Sequence, residues 1–547
     1  MRKKLSVSRR TGVAIIALLV AAGAGATVST ADNSRPANAD AVDTQLQRSA
    51  NSSTSQRGAA RAMPPPVTGY ILPGANFTFE RFMEFPNSEG TLAVTYNGEP
   101  FATANHPFFK VRPNGRACVT CHQPIDAMGI STKTIKERWA ATNGRDPLFH
   151  ASDGSNCPHL PQNDPKSHSL LLEHGLFRVG LPWPPKDFNG NAIEPEFEIE
   201  VAMDPTGCNT HAEYGLNSAH PTVSVYRRSR MAANVRYLES AQAQSNTKTG
   251  LPLVRDPVTG IHSSMSIMSD ARVTSLAMQA QDAGGVHMGM GPLYGENGHP
   301  KMTREEADQL VEFERNVHAA QQSSKLAGRF DVAGTPRALG VKAMIEGRGN
   351  PPVNGNDTDV GVFYSMEEWR GPVNSGNPGA DFRASVARGY DIFFLKPIWL
   401  RDVFGITNFG LGNPYKQTCA FCHNTLLTGH DDVPGWMDLG TNNFPHASSA
   451  PELPTFKITC KANALPHPYL GREIYTHDPG RALITGKCTD VGALVMQQFR
   501  GISSRAPYFA NGSAKSLREV VDFYDRRFNV GYTDQEKQDL INFLSVL

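Results

Sequence analysis

The chain has 547 residues, 53 of them Lys or Arg and 52 Asp or Glu, for a formal net charge of +1. With 39% hydrophobic and 19% charged residues it has an ordinary globular composition, and its length calls for two or more domains. No basic stripe is present, so nucleic acid is excluded as an expected partner.

Five of the positive charges (Arg2, Lys3, Lys4, Arg9 and Arg10) precede an apolar run from Val13 to Ala26 that ends in Ala24-Gly25-Ala26. A basic segment, a short apolar run and small residues make the pattern of a secretory signal peptide, here 1–26. An uncleaved N-terminal anchor is the alternative. Export would send the protein to the periplasm or outside the cell. The rest of the chain holds 48 basic against 52 acidic residues. It has no other run of 18 apolar residues, so no membrane span is expected in the mature protein.

Residues 27–66 are rich in Ser, Ala, Asn and Gln and end in Pro64-Pro65-Pro66, a flexible leader by composition. Short strand signals occur at Phe197 to Val201 and Thr222 to Tyr226. Thr303 and Glu306 form a capping box at the head of a helical pattern that runs to Arg315. A polar, Gly- and Asn-rich stretch, 347–377, marks a second weak boundary. Helical periodicity returns from Ala384 to Phe394, from Leu517 to Tyr524, and from Thr533 to Leu547, where Thr533 and Glu536 repeat the box. The expected fold is mainly α, with long irregular insertions and few short strands.

Two motifs carry chemistry: Cys118-Val-Thr-Cys121-His122 and Cys419-Ala-Phe-Cys422-His423, about 300 residues apart. Both match C-x-x-C-H, the attachment pattern of haem c. Two thiols one helical turn apart add to the two vinyl groups of one porphyrin, and the adjacent His reaches the iron. A dithiol redox pair and a zinc site are the alternatives, but zinc would want four ligands at each site. Two covalently bound haems are therefore expected. The other cysteines, Cys157, Cys208, Cys460 and Cys488, fall as one pair in each half. In an oxidising compartment the simple reading is disulfides 157–208 and 460–488, among three possible connectivities.

The segment Arg505 to Tyr524, which contains Ala506-Pro-Tyr-Phe and Leu517-Arg-Glu-Val-Val, resembles the APYFHDGS…LEEVV segment of bacterial dihaem cytochrome c peroxidases and of MauG. Asp270 to Ala280 is similar to their DGRA..LEEQA segment. This resemblance implies two cytochrome c-like domains, a peroxidatic one over 67–376 and an electron-transfer one over 377–547. It implies His122 and His423 as iron ligands. Gln279 matches the family's distal Gln, and His287 stands near its acid–base Glu. A His there would move a proton on peroxide or ligate the iron. Tyr524 falls where the peroxidases carry a distal Met and MauG a Tyr; it is a candidate iron ligand or a core residue. The chain departs from the pattern at Ser269, where the family has a Trp between the haems. It departs again at Ala219 and Gln497-Gln498, which leave bound calcium possible but unsupported.

The resemblance implies a periplasmic peroxidase that reduces hydrogen peroxide with electrons from a small donor protein, a cytochrome c or cupredoxin. Two alternatives remain open. One is an enzyme like MauG or rubber oxygenase, oxidising a protein or organic substrate. The other is a non-catalytic dihaem electron carrier.

Overall fold

Six helices of eleven residues or more frame the described chain, and each begins where a side chain can satisfy its free amide groups. The computed structural model describes residues 69–187, 190–240, 267–290, 301–346, 366–404, 412–423, 428, 436–448 and 450–547. The expected signal peptide, the leader and most of the 347–377 boundary lie outside these. Helix α1 (Thr132–Thr142) is capped by Ser131, and α2 (Leu276–Met288) by Ser275. Helix α3 (Arg304–Asn316) starts with the expected reciprocal Thr303/Glu306 box. Helix α4 (Pro378–Leu395) begins earlier than its periodicity suggested, because Asn377 accepts from the Gly379 and Ala380 amides and Pro378 occupies the first turn. Helix α5 is Leu517–Phe528, and α6 (Asp534–Ser545) carries the second box.

Helices α4 and α6 pack against each other near the second motif. They approach so closely that a Cβ at Gly389 would lie 2.0 Å from the Asp539 carbonyl oxygen. Asp539 then accepts from Ser385 Oγ at 2.5 Å and from Arg388 Nε at 2.8 Å. Around them Phe393, Val521, Phe543 and Leu544 form one core. A separate core of Phe108, Phe109, Val119, Leu276, Leu310 and Phe313 backs the first motif.

The expectation of a mainly helical fold holds only in part, because the architecture is mixed. The described residues are 32% helical and 20% strand, in several small sheets. An antiparallel sheet runs Phe82–Pro86, Gly90–Tyr96, Val317–Ser324, Gly328–Arg329. Strands Leu176–Pro182 and Thr222–Arg228 pair with Val179 opposite Val225. A third sheet sets Thr455–Cys460 between Glu473–Thr476 and Phe197–Met203, so Phe456 faces Val201 across more than 250 residues of sequence. Both strands read in the sequence are present and run slightly longer. The disulfides are Cys157–Cys208 and Cys460–Cys488, the simple pairing. The described residues, 69 to 547, belong to one compact unit. Among the described residues no helix is long and apolar enough to cross a membrane.

A buried ionic junction ties the strands to the segment before α2. Arg227 donates to Asp270 at 2.5 Å and to Asp478 at 2.6 and 2.9 Å, and Arg272 also reaches Asp270. Burial alone would raise the Asp270 carboxyl, but the charges of Arg272 and Arg227 outweigh it and hold it down to about 2. A depressed carboxyl contributes stability that is complete above its unfolded value of about 4 and is lost as pH falls through its folded value. Asp270→Asn should therefore cost most at neutral pH, and its difference from wild type should shrink between pH 4 and 2. Unfolding midpoints across that range check this; a constant difference contradicts it.

Candidate functional site

The first motif sits on a tight turn. Cys118–Thr120 is a single 3-10 turn, with the Cys121 and His122 amides both donating to the Cys118 carbonyl at 3.2 and 3.1 Å. Arg138, fully buried, clamps the turn by donating NH1 to the Thr120 carbonyl at 2.5 Å while its Nε and NH2 hold Asp146. Downstream, Ala127 and Met128 are consecutive left-handed residues (φ 56 and 59), a costly geometry held by the Gln123–Gly129 bridge. That turn aims the Met128 carbonyl at His122 Nδ1, 3.1 Å away. An N–H there donates and leaves the Nε2 lone pair available, as an iron ligand requires. Burial lowers His122 to about 4, so the ring is neutral at physiological pH.

Cys118, Cys121 and His122 line a cavity of about 180 Å³ together with Gln279 and His287. Gln279, Ala283 and His287 recur every four residues along α2, so they form one stripe on the cavity wall. The structure thus brings the sequence-predicted residues of the first site together. It adds two that the sequence did not single out: Asp153, 2.5 Å from His287 Nδ1, and Arg116, which pairs with Asp153. Met288 is buried on the same wall.

The second motif is one helical turn, Cys419–Cys422, begun by Thr418. Here His423 packs against Phe499 at 4.6 Å between ring centroids. Cys419, Cys422, His423 and Tyr524 line a cavity of about 210 Å³. Tyr524, on α5, places its phenol oxygen 3.4 Å from His423 Nε2, and burial pushes the phenol well above its usual range. Gln498, in the departed calcium pattern, donates to the Ala233 carbonyl at 2.7 Å, and Ala219 is exposed.

The two cavities share a wall. Arg228 and Ser229 line both. Ser269 lines the first cavity, and its carbonyl accepts from the amide of Val495, which lines the second. Arg230 donates to the Val495 and Met496 carbonyls at 3.0 Å each.

These residues fit haem c. The thiols of both motifs lie outside the two disulfides, which take the other four cysteines. Burial pushes Cys118 up to about 12 and Cys121 and Cys419 to about 11, opposite to the lowered values of a reactive dithiol. Arg228 and Arg505 line the second cavity, and each has a buried guanidinium nitrogen without a hydrogen-bond partner. Such cations suit the anionic carboxylates of a porphyrin.

No family model matches the chain. A stretch of 148 residues is 31% identical to cytochrome-c peroxidase IdrP1 of Pseudomonas sp. (strain SCT), covering 24% of this chain and 37% of that protein. The chain thus spans little more than a third of the length of the curated relative it matches. Among solved structures, a xenon-pressurised hydrazine synthase of Kuenenia stuttgartiensis superposes with a TM-score of 0.27 at 14% identity. That superposition covers 59% of this chain and 73% of the other.

Proposed function

We propose that the protein is an exported dihaem c-type peroxidase, reducing hydrogen peroxide with electrons from a small cytochrome c or cupredoxin. The observation that carries this reading is the first cavity, where a free thiol pair and a neutral His122 face Gln279 and His287. The partial likeness to a cytochrome-c peroxidase supports it. The two disulfides and the basic-then-apolar N-terminus support export to the periplasm or beyond.

Cys118 and Cys121 would hold one haem with His122 on its iron, and Cys419, Cys422 and His423 the other. When bound, the haems would supply an open iron position for a small oxidant at the first site and single-electron transfer at the second. The chain's own residues do the rest. His287 takes a proton at Nε2 from hydrogen peroxide and returns it to the departing oxygen. The Gln279 amide donates a hydrogen bond that orients the bound oxidant. Steady consumption of hydrogen peroxide with reduced cytochrome c as donor tests the reading; no turnover with any reduced donor protein overturns it.

One observation favours a second reading, oxidation of a protein or organic substrate as in MauG or rubber oxygenase: the Tyr524 phenol that faces His423. A phenolate on iron favours its higher oxidation states. On that reading Tyr524→Phe changes the absorption spectrum of the second haem, and an unchanged spectrum removes the phenol from the coordination.

A further inference from the structure

Asp153 lies in the segment between His150 and Tyr214, and the fold buries it to 3% exposure against the first cavity. One carboxylate oxygen accepts from His287 Nδ1 at 2.5 Å; the other accepts from Arg116 NH1. Arg116 is itself buried, with Nε and NH2 donating to the Pro147 and Leu148 carbonyls at 2.7 and 2.8 Å. Its NH1 also reaches the His287 carbonyl at 3.2 Å, and Asn114 Nδ2 donates to that same carbonyl at 2.8 Å. His287 is thus held at its ring and at its backbone.

The loop that presents Asp153 is fixed from several sides. The Arg178 amide donates to the Asp153 carbonyl at 2.9 Å, and the Arg178 guanidinium donates to the Ser152 carbonyl. At Gly154 a Cβ would lie 2.3 Å from the Leu148 carbonyl oxygen, so the backbones touch. The Cys157–Cys208 disulfide anchors the loop just downstream. Burial opposes ionisation of Asp153, but the Arg116 charge and the His287 hydrogen bond outweigh it and hold the carboxyl down to about 2.

We propose that Asp153 is the positioning residue for His287. It holds the Nδ1–H tautomer, so that the Nε2 lone pair is the one available to take a proton in the cavity shared with Cys118, Cys121 and His122. The proton leaves an incoming weak acid and becomes the second N–H of an imidazolium, whose charge the Asp153 carboxylate balances; no electron moves in this step. The inference rests on His287 as the proton acceptor of the proposed peroxidase. The charged and titratable groups set against His287 are Asp153, Arg116 and His122, and Cys118, Cys121, Arg227, Arg228, Arg230, Arg272 and Glu314 line the same cavity.

The test uses the full haem-loaded chain and cyanide, which must shed its proton to bind iron as an anion. Asp153→Asn can accept at Nδ1 no longer as an anion and can donate there instead, which selects the wrong tautomer. It should slow cyanide association about 10- to 100-fold and displace its pH profile, with Asp153→Glu intermediate. In a His287→Gln background Asp153→Asn should add no further slowing. Wild-type rates and profile in Asp153→Asn, or equal slowing in the His287→Gln background, would overturn the proposal. So would a wild type that binds cyanide only after His287→Gln, since His287 would then be an iron ligand. If Asp153→Asn yields no folded haem protein, Asp153→Glu carries the comparison, and a wild-type rate there overturns it. A wild type without peroxide turnover that still shows the Asp153 effect on cyanide would remove the peroxidase reading and uphold the positioning role.

Discussion

His287→Ala should slow the reaction with hydrogen peroxide by about 10²–10⁴-fold, the span expected when a positioned acid–base group is removed. Peroxide binds and breaks faster when one group takes its proton and returns it to the other oxygen. Within the described first cavity, His287 is the histidine that faces His122 and has its far nitrogen held by a carboxylate. The loss should appear in rapid-mixing kinetics at unchanged haem content. Asp153 keeps Arg116 as its partner in the variant, so the fold should survive. Reaction at the wild-type rate would remove His287 from the mechanism.

Arg138→Ala should destabilise the protein by about 3–5 kcal/mol, the cost of breaking a buried pair by removing one partner. Arg138 and Asp146 are both fully buried, joined at 2.9 and 2.6 Å. Without the guanidinium, Asp146 keeps the Leu148 amide but loses its counter-charge. The Thr120 carbonyl inside the first motif loses its donor as well. Denaturant unfolding of the variant measures the loss, and replacing both partners together, as in Arg138→Met with Asp146→Leu, should recover part of it. A change below about 1 kcal/mol would place this pair among those that contribute little, as exposed ion pairs do.

Local chemistry was legible in the sequence, and long-range pairing was not. Thr303 with Glu306 and Thr533 with Glu536 announce helix starts, because a capping box needs only residues three apart. Spacing and compartment suggested the two disulfides, and the attachment motifs name the thiols and His122 and His423. The strand Val317–Ser324 carries no sequence signal for a physical reason: it follows α3 without a break, and its His318, Gln321 and Gln322 are polar yet buried. A strand of that composition has no alternating pattern to read. Thr455–Cys460 draws its sheet partner from the other half of the chain. Asp153 is 134 residues from His287, in a Ser-Asp-Gly stretch that reads as an ordinary turn. Only the folded chain shows where its carboxylate points.

The most direct test of the central claim is the haem content of the purified, exported protein. Pyridine haemochrome quantitation, read with haem staining after denaturing electrophoresis, should give two haems per chain, one for each C-x-x-C-H motif, both retained covalently. A product with no Soret absorption and no haem-stained band would contradict the account at its base.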